Sequence, residues 1–138
     1  MKKIFAILLS VLIITALSLN VCAAAIDSGD VITPNWSYMN SIDVNIVFSG
    51  NNGIAKVDVE RYALMTRLLT ATLTVYKKVN SNWVYVDSIY GSSTRTLSID
   101  LDFAAESGVI YKAVADVTAY GTSGGSESDT ISRTEICP

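Results

Sequence analysis

From residue 42 onward apolar side chains recur at every second position, the period of a strand with one buried face, and helical spacing is nearly absent. In the first run Ile42, Val44, Ile46 and Phe48 alternate with Ser41, Asp43, Asn45 and Ser49, and Gly50-Asn51-Asn52-Gly53 supplies turn chemistry. The next run, residues 54–61, sets Ala55, Val57 and Val59 against Lys56, Asp58 and Glu60, so the two runs predict a hairpin. Residues 61–68 break the alternation and read as a loop or a single helical turn. Residues 69–79 then place Leu69, Ala71, Leu73 and Val75 opposite Thr70, Thr72, Thr74 and Tyr76, with β-branched content that favours a strand.

Asn80-Ser81-Asn82 turns the chain into residues 83–90, and Gly91-Ser92-Ser93 turns it into residues 95–103. Residues 109–120 are the most apolar of the later runs and are expected at the centre of a sheet. Residues 126–136 are rich in Ser, Thr and charge, which suits an edge. Seven short antiparallel strands without intervening helices predict an all-β, two-sheet sandwich, with a small barrel as the alternative.

The start of the chain follows a different pattern. Met1-Lys2-Lys3 is positive, residues 4–19 are apolar except for Ser10, Thr15 and Ser18, and Val21-Cys22-Ala23-Ala24-Ala25 ends in small residues. These are the three parts of a secretory signal peptide. The expected organisation is a signal helix over residues 1–25, a lead-in over residues 26–41 and the sandwich domain over residues 42–138, with cleavage favoured after Ala24 or Ala25 and a cut after Ala23 the alternative. The apolar run is short of the roughly 20 residues that span a bilayer. The expected location is therefore secreted or extracellular, with the membrane touched only transiently through the leader. Leu19-Asn20-Val21 lacks the small residue that lipoprotein processing requires before Cys22. Cleavage leaves Cys137 alone, so no intrachain disulfide is expected, and the plain reading is a tail thiol without a role.

Residues Gly108-Val109-Ile110-Tyr111-Lys112-Ala113-Val114-Ala115 resemble the sixth strand of fibronectin type III and related immunoglobulin-like sandwiches. In that family a Gly-containing turn precedes a Tyr that bonds back across the corner, and the resemblance implies that structural role for Tyr111. Val117-Thr118-Ala119-Tyr120-Gly121, with the Gly/Ser turn after it, is similar to the end of the same strand. The chain departs from the family in lacking a cysteine pair between sheets and an Arg-Gly-Asp in residues 121–125. With its leader and lone terminal Cys, it also resembles the short secreted proteins common in Gram-positive bacteria, a likeness that implies export and no particular activity.

Composition narrows the chemistry. The 138 residues are 50% hydrophobic, much of it in the leader, and carry a formal net charge of −3 that becomes more negative once Lys2 and Lys3 are removed. The remaining basic residues are scattered, which argues against nucleic acid as a partner. The absence of histidine removes Ser-His and Cys-His nucleophile pairs and every His-containing metal site. No cofactor or metal is expected. Carboxylate chemistry remains: Asp100 and Asp102 are two apart on one strand, roughly 7 Å between them. Their plain reading is a solvent face, and their sharper one the two carboxylates of a glycosidase. Asp116 reads as a half-exposed partner of Lys112.

The other candidates are aromatic. A register with Val79 opposite Val84 places Val84, Val86 and Tyr90 on the core side and leaves Trp83, Tyr85 and Asp87 outside with Tyr76 and Lys78. Tyr76, Trp83 and Tyr85 are therefore the expected binding residues, with protein or glycan as the partner. The functional expectation is a secreted, non-enzymatic binding or surface-interaction module. The alternative is a carboxylate-dependent hydrolase of extracellular polysaccharide.

Overall fold

The structure, a computed structural model, describes residues 36–138. The leader, Cys22 and nearly all of the lead-in lie outside the described residues. Within them are the strands β1 (Met39–Ser49), β2 (Asn52–Arg61), β3 (Thr66–Val79), β4 (Asn82–Ser93), β5 (Leu97–Ala104), β6 (Ile110–Gly121) and β7 (Ser126–Ile136). One sheet has the order β1-β2-β5 and the other β4-β3-β6-β7, and every pairing is antiparallel. This is a two-sheet β-sandwich, as the alternation predicts.

The period-2 pattern dictates the core. Val44, Ile46, Ala55, Val57, Val59, Leu97, Ile99, Leu101 and Phe103 face inward from the three-stranded sheet. They meet Leu69, Ala71, Leu73, Val75, Tyr111, Ala113, Ala115, Val117 and Ala119 from the other. The alanines of β6 leave room for the branched and aromatic side chains opposite, as close packing requires. β6 lies between β3 and β7, and β7 is an edge.

One end of the core is aromatic, with the Tyr111 ring 5.1 Å from Phe103 and 5.7 Å from Phe48. There the Tyr111 hydroxyl accepts the backbone N–H of Glu106 at 2.9 Å. Cys137 is packed at the same sequence boundary: its N–H donates to the Val109 carbonyl, its carbonyl accepts from Gly108 N–H, and its side chain is buried. The tail thiol is thus a buried free cysteine, because these two backbone bonds carry the chain end back over the core.

The loop between β2 and β3 is shorter than the break in alternation suggests, because pairing already resumes at Thr66. Arg61 Nη1 donates to the carbonyls of Ala63 and Thr66, which ties the loop across its base. At the other side of the sandwich the Glu127 carboxylate accepts the backbone N–H groups of Ser37, Tyr38 and Met39 at 2.8, 2.6 and 2.7 Å. Trp36 Nε1 donates to Asp129 at 3.0 Å. The end of the lead-in is thus fastened to β7 by two carboxylates.

Candidate ligand-binding face

The site is built on the hairpin joining β3 to β4. Its turn is Asn80-Ser81, and both residues have positive φ, 48° and 72°. Such a two-residue turn matches the twist of the flanking strands. It fixes the register with Val79 opposite Asn82, Lys78 opposite Trp83, Lys77 opposite Val84 and Tyr76 opposite Tyr85. The expected pairing of Val79 with Val84 is corrected, because the turn uses two residues rather than four.

A bulge follows: Tyr76 pairs with Tyr85 but Val75 pairs with Asp87, so Val86 is the extra residue. A bulge reverses which residues point outward beyond it. Tyr90, opposite Thr72, therefore joins the outer face and is 64% exposed, contrary to its expected place on the core side. Asp87 likewise falls on the inner side, opposite Val75, yet stays exposed. β4 is the edge of its sheet among the described residues, and Val79, Val84 and Ile89 on this side of the hairpin are exposed as well. Charge on the inner side there keeps contact with solvent. Lys77, on that side, donates to Glu106 at 2.8 Å. That hydrogen bond, and then the carboxylate's charge, hold the Lys77 ammonium above its ordinary pKa.

Further along, β4 closes on β5. Gly91 makes this possible, since a Cβ at that position would come within 2.7 Å of Ile99 Cδ1.

On the outer face the structure brings Tyr76, Trp83 and Tyr85 together. Trp83 is 40% and Tyr85 57% exposed, while Tyr76 is half-buried between strands. The Tyr76 and Tyr85 rings meet edge to face, 6.4 Å between centroids and 82° between planes, a favoured aromatic geometry. The Tyr85 hydroxyl bonds Ser88 Oγ at 3.1 Å. Two ammonium groups approach the Trp83 ring: Lys78 Nζ at 5.8 Å from its centroid and Lys112 Nζ at 5.6 Å. Both lie within cation–π range. Lys112 reaches Trp83 from β6, where it pairs with Tyr76. Its expected partner Asp116 instead accepts from Thr130 Oγ1 at 2.6 Å, since four residues of strand separate the two on β6.

The rest of this face is hydroxylic. Beyond the row Tyr85, Tyr76, Lys112 and Thr134 comes a row of Ser88, Thr74, Val114 and Ser132, and next Tyr90, Thr72, Asp116 and Thr130. The following row is Ser92, Thr70, Thr118 and Ser128. Sequence reasoning missed this field because no single strand shows it. It emerges only when the registers of β4, β3, β6 and β7 are laid side by side.

The other candidates are placed apart. Asp100 and Asp102 are exposed on the outer face of the three-stranded sheet, opposite Lys56 and Ile54. Asp102 borders a shallow groove of about 540 Å³ that Val47, Ile54 and Phe103 also line. Among the described residues no group of three or more Asp, Glu or Cys side chains could hold a metal ion, and no helix is long and apolar enough to cross a membrane. The β2–β3 loop exposes Tyr62, Leu64 and Met65 at a distance in the fold from the aromatic hairpin.

No protein-family model matches the chain, and no curated protein does. Among solved structures it is similar to Spo0M, a sporulation control protein from Bacillus subtilis. The identity is 14% and the TM-score 0.34, over 67% of this chain and 47% of that one. The chain thus spans about half the length of that protein, and a likeness this weak carries no functional argument.

Proposed function

We propose that the protein is an exported, non-enzymatic binding module whose ligand lies on the outer face of the four-stranded sheet, at the β3–β4 hairpin. The observation that carries this reading is the grouping of Tyr76, Trp83 and Tyr85 on a sheet face that no other element among the described residues covers. Large aromatic side chains supply much contact area at little cost in side-chain entropy, and clustered exposure of this kind marks interaction surfaces. The leader supports export. A sequence without histidine supports a role without nucleophilic catalysis.

The test is a binding screen of the exported chain against glycan and extracellular-protein arrays, repeated with a Trp83→Ala, Tyr85→Ala double variant. The variant keeps the wild-type circular dichroism spectrum and loses most of the binding. Full binding by a folded double variant refutes the reading.

A further inference from the structure

We infer that the ligand of this face is an anionic polysaccharide, with a pyranose ring stacked at Trp83 and Tyr85 and its carboxylate held between Lys78 and Lys112. The inference rests on the proposed binding role of the face and specifies its chemistry. Three observations converge on it.

The first is charge. The protein is acidic, yet two ammonium groups gather within 6 Å of one exposed indole. Among the described residues the ion pairs join Lys56 to Asp58, Lys77 to Glu106 and Arg133 to Glu135, and neither Lys78 nor Lys112 takes part in one. An anion arriving there meets two cations that no carboxylate among the described residues pairs with. It also finds them beside an aromatic ring that excludes water from one side, where attraction between opposite charges is stronger than in bulk solvent.

The second is the surface leading away from the Trp83 end. Ser88, Thr74 and Ser132, then Thr72 and Thr130, present hydroxyls, with Ser88 bonded to the Tyr85 hydroxyl and Thr130 donating to Asp116, the one carboxylate in these two rows. Neighbouring strands stand about 4.8 Å apart and alternate residues about 7 Å apart, so the hydroxyls form a shallow array suited to a polyhydroxylated chain. An apolar peptide or a bilayer interior would leave those groups without partners at a cost.

The third is the aromatic geometry. Tyr85 and Trp83 are alternate residues of one strand, and Tyr90 continues the same face past the bulge. An extended polymer running along the edge strand would meet one ring after another, whereas a single small anion would use only the lysines.

Affinity electrophoresis and calorimetry with polygalacturonate, alginate and hyaluronate test the inference, with fully methyl-esterified pectin as a neutral chain of the same backbone as polygalacturonate. The wild-type chain binds at least one acidic polymer about tenfold more tightly than the neutral ester. A Lys78→Gln, Lys112→Gln double variant loses that preference, and Trp83→Ala loses binding to both. Binding to the acidic polymer also weakens at about 0.5 M NaCl, where the screening length falls to a few ångströms.

Equal binding of acidic and esterified chains that still depends on Trp83 overturns the anionic assignment and leaves the binding face intact. Binding to phosphatidylglycerol vesicles, or association with a second copy, that depends on the same residues while no acidic polymer binds overturns the polysaccharide in favour of that occupant. Failure of every glycan, vesicle and protein probe to respond to Trp83→Ala removes both the ligand and the face.

Discussion

The Tyr111 hydroxyl lies 2.9 Å from the backbone nitrogen of Glu106, closing the connection between β5 and β6 while the ring packs on Phe103. Removing only the oxygen leaves the ring in place and the Glu106 N–H without its partner. Tyr111→Phe is therefore expected to lower stability by about 1–2 kcal/mol, measured by urea denaturation at unchanged slope. An unchanged midpoint would show that water replaces the hydroxyl at no cost.

Ser81 occupies a left-handed turn position with φ of 72°, where a side chain is disfavoured and glycine is not. Ser81→Gly is expected to stabilise the hairpin by roughly 0.5–1 kcal/mol. A higher melting temperature together with slower amide exchange in β3 and β4 would record it. A loss of stability would mean that the serine makes compensating contacts in solution.

Glu127 receives three consecutive backbone N–H groups from Ser37, Tyr38 and Met39. In Glu127→Gln one carboxylate oxygen becomes a donor and opposes the N–H it faced. The expected loss is about 1–2 kcal/mol, kept to the lower part of the range for charged hydrogen bonds because the site is partly wet. Trp36, bonded to the neighbouring Asp129, reports the change. Its emission moves to longer wavelength in a Trp83→Phe background, and unchanged emission argues that the packing of Trp36, rather than the carboxylate, fixes the segment.

Glu106 raises the pKa of Lys77 above its ordinary 10.5, chiefly through a direct hydrogen bond. A raised ammonium pKa contributes stability that is complete below the unfolded value and disappears as pH rises through the folded one. The wild type and Glu106→Gln therefore differ by a constant amount from neutral pH to about 9 and converge above 10.5. An NMR titration of Lys77 Nζ with a midpoint at or below 10.5 contradicts this.

The leader predicts that mass spectrometry of culture supernatant finds a mature chain beginning at a residue between Ala24 and Ile26. Retention of Met1 in the exported protein refutes it.

What the sequence made legible, and what it hid, has a common physical origin. Alternation in β2, β3, β5 and β6 fixes which side of each strand meets the core, because apolar residues at every second position admit only one burial. The outward placement of Trp83 and Tyr85 was legible for the same reason. Burial does not decide the register of their strand, since Val84 and Asp87 share the inner side and both stay exposed. How far one sheet covers the other leaves no mark in either strand. The bulge at Val86 is equally silent, as it depends on how β4 must bend to close over Ile99. Lys112 reached Trp83 from a strand nearly thirty positions away, beyond any local pattern.

The fastening of the lead-in to β7 has one more consequence. Among the described residues β7 pairs on one side only, with β6, and a strand with an open side is a template on which other chains can extend a sheet. Its core-directed positions carry Glu127, Asp129, Arg133 and Glu135 around the single apolar Ile131. A foreign strand docking there would have to bring apolar partners against ionised side chains or displace Trp36 through Met39 from their carboxylate bonds. The acidic border that holds the N-terminal segment in place thus also raises a barrier to strand addition at this edge.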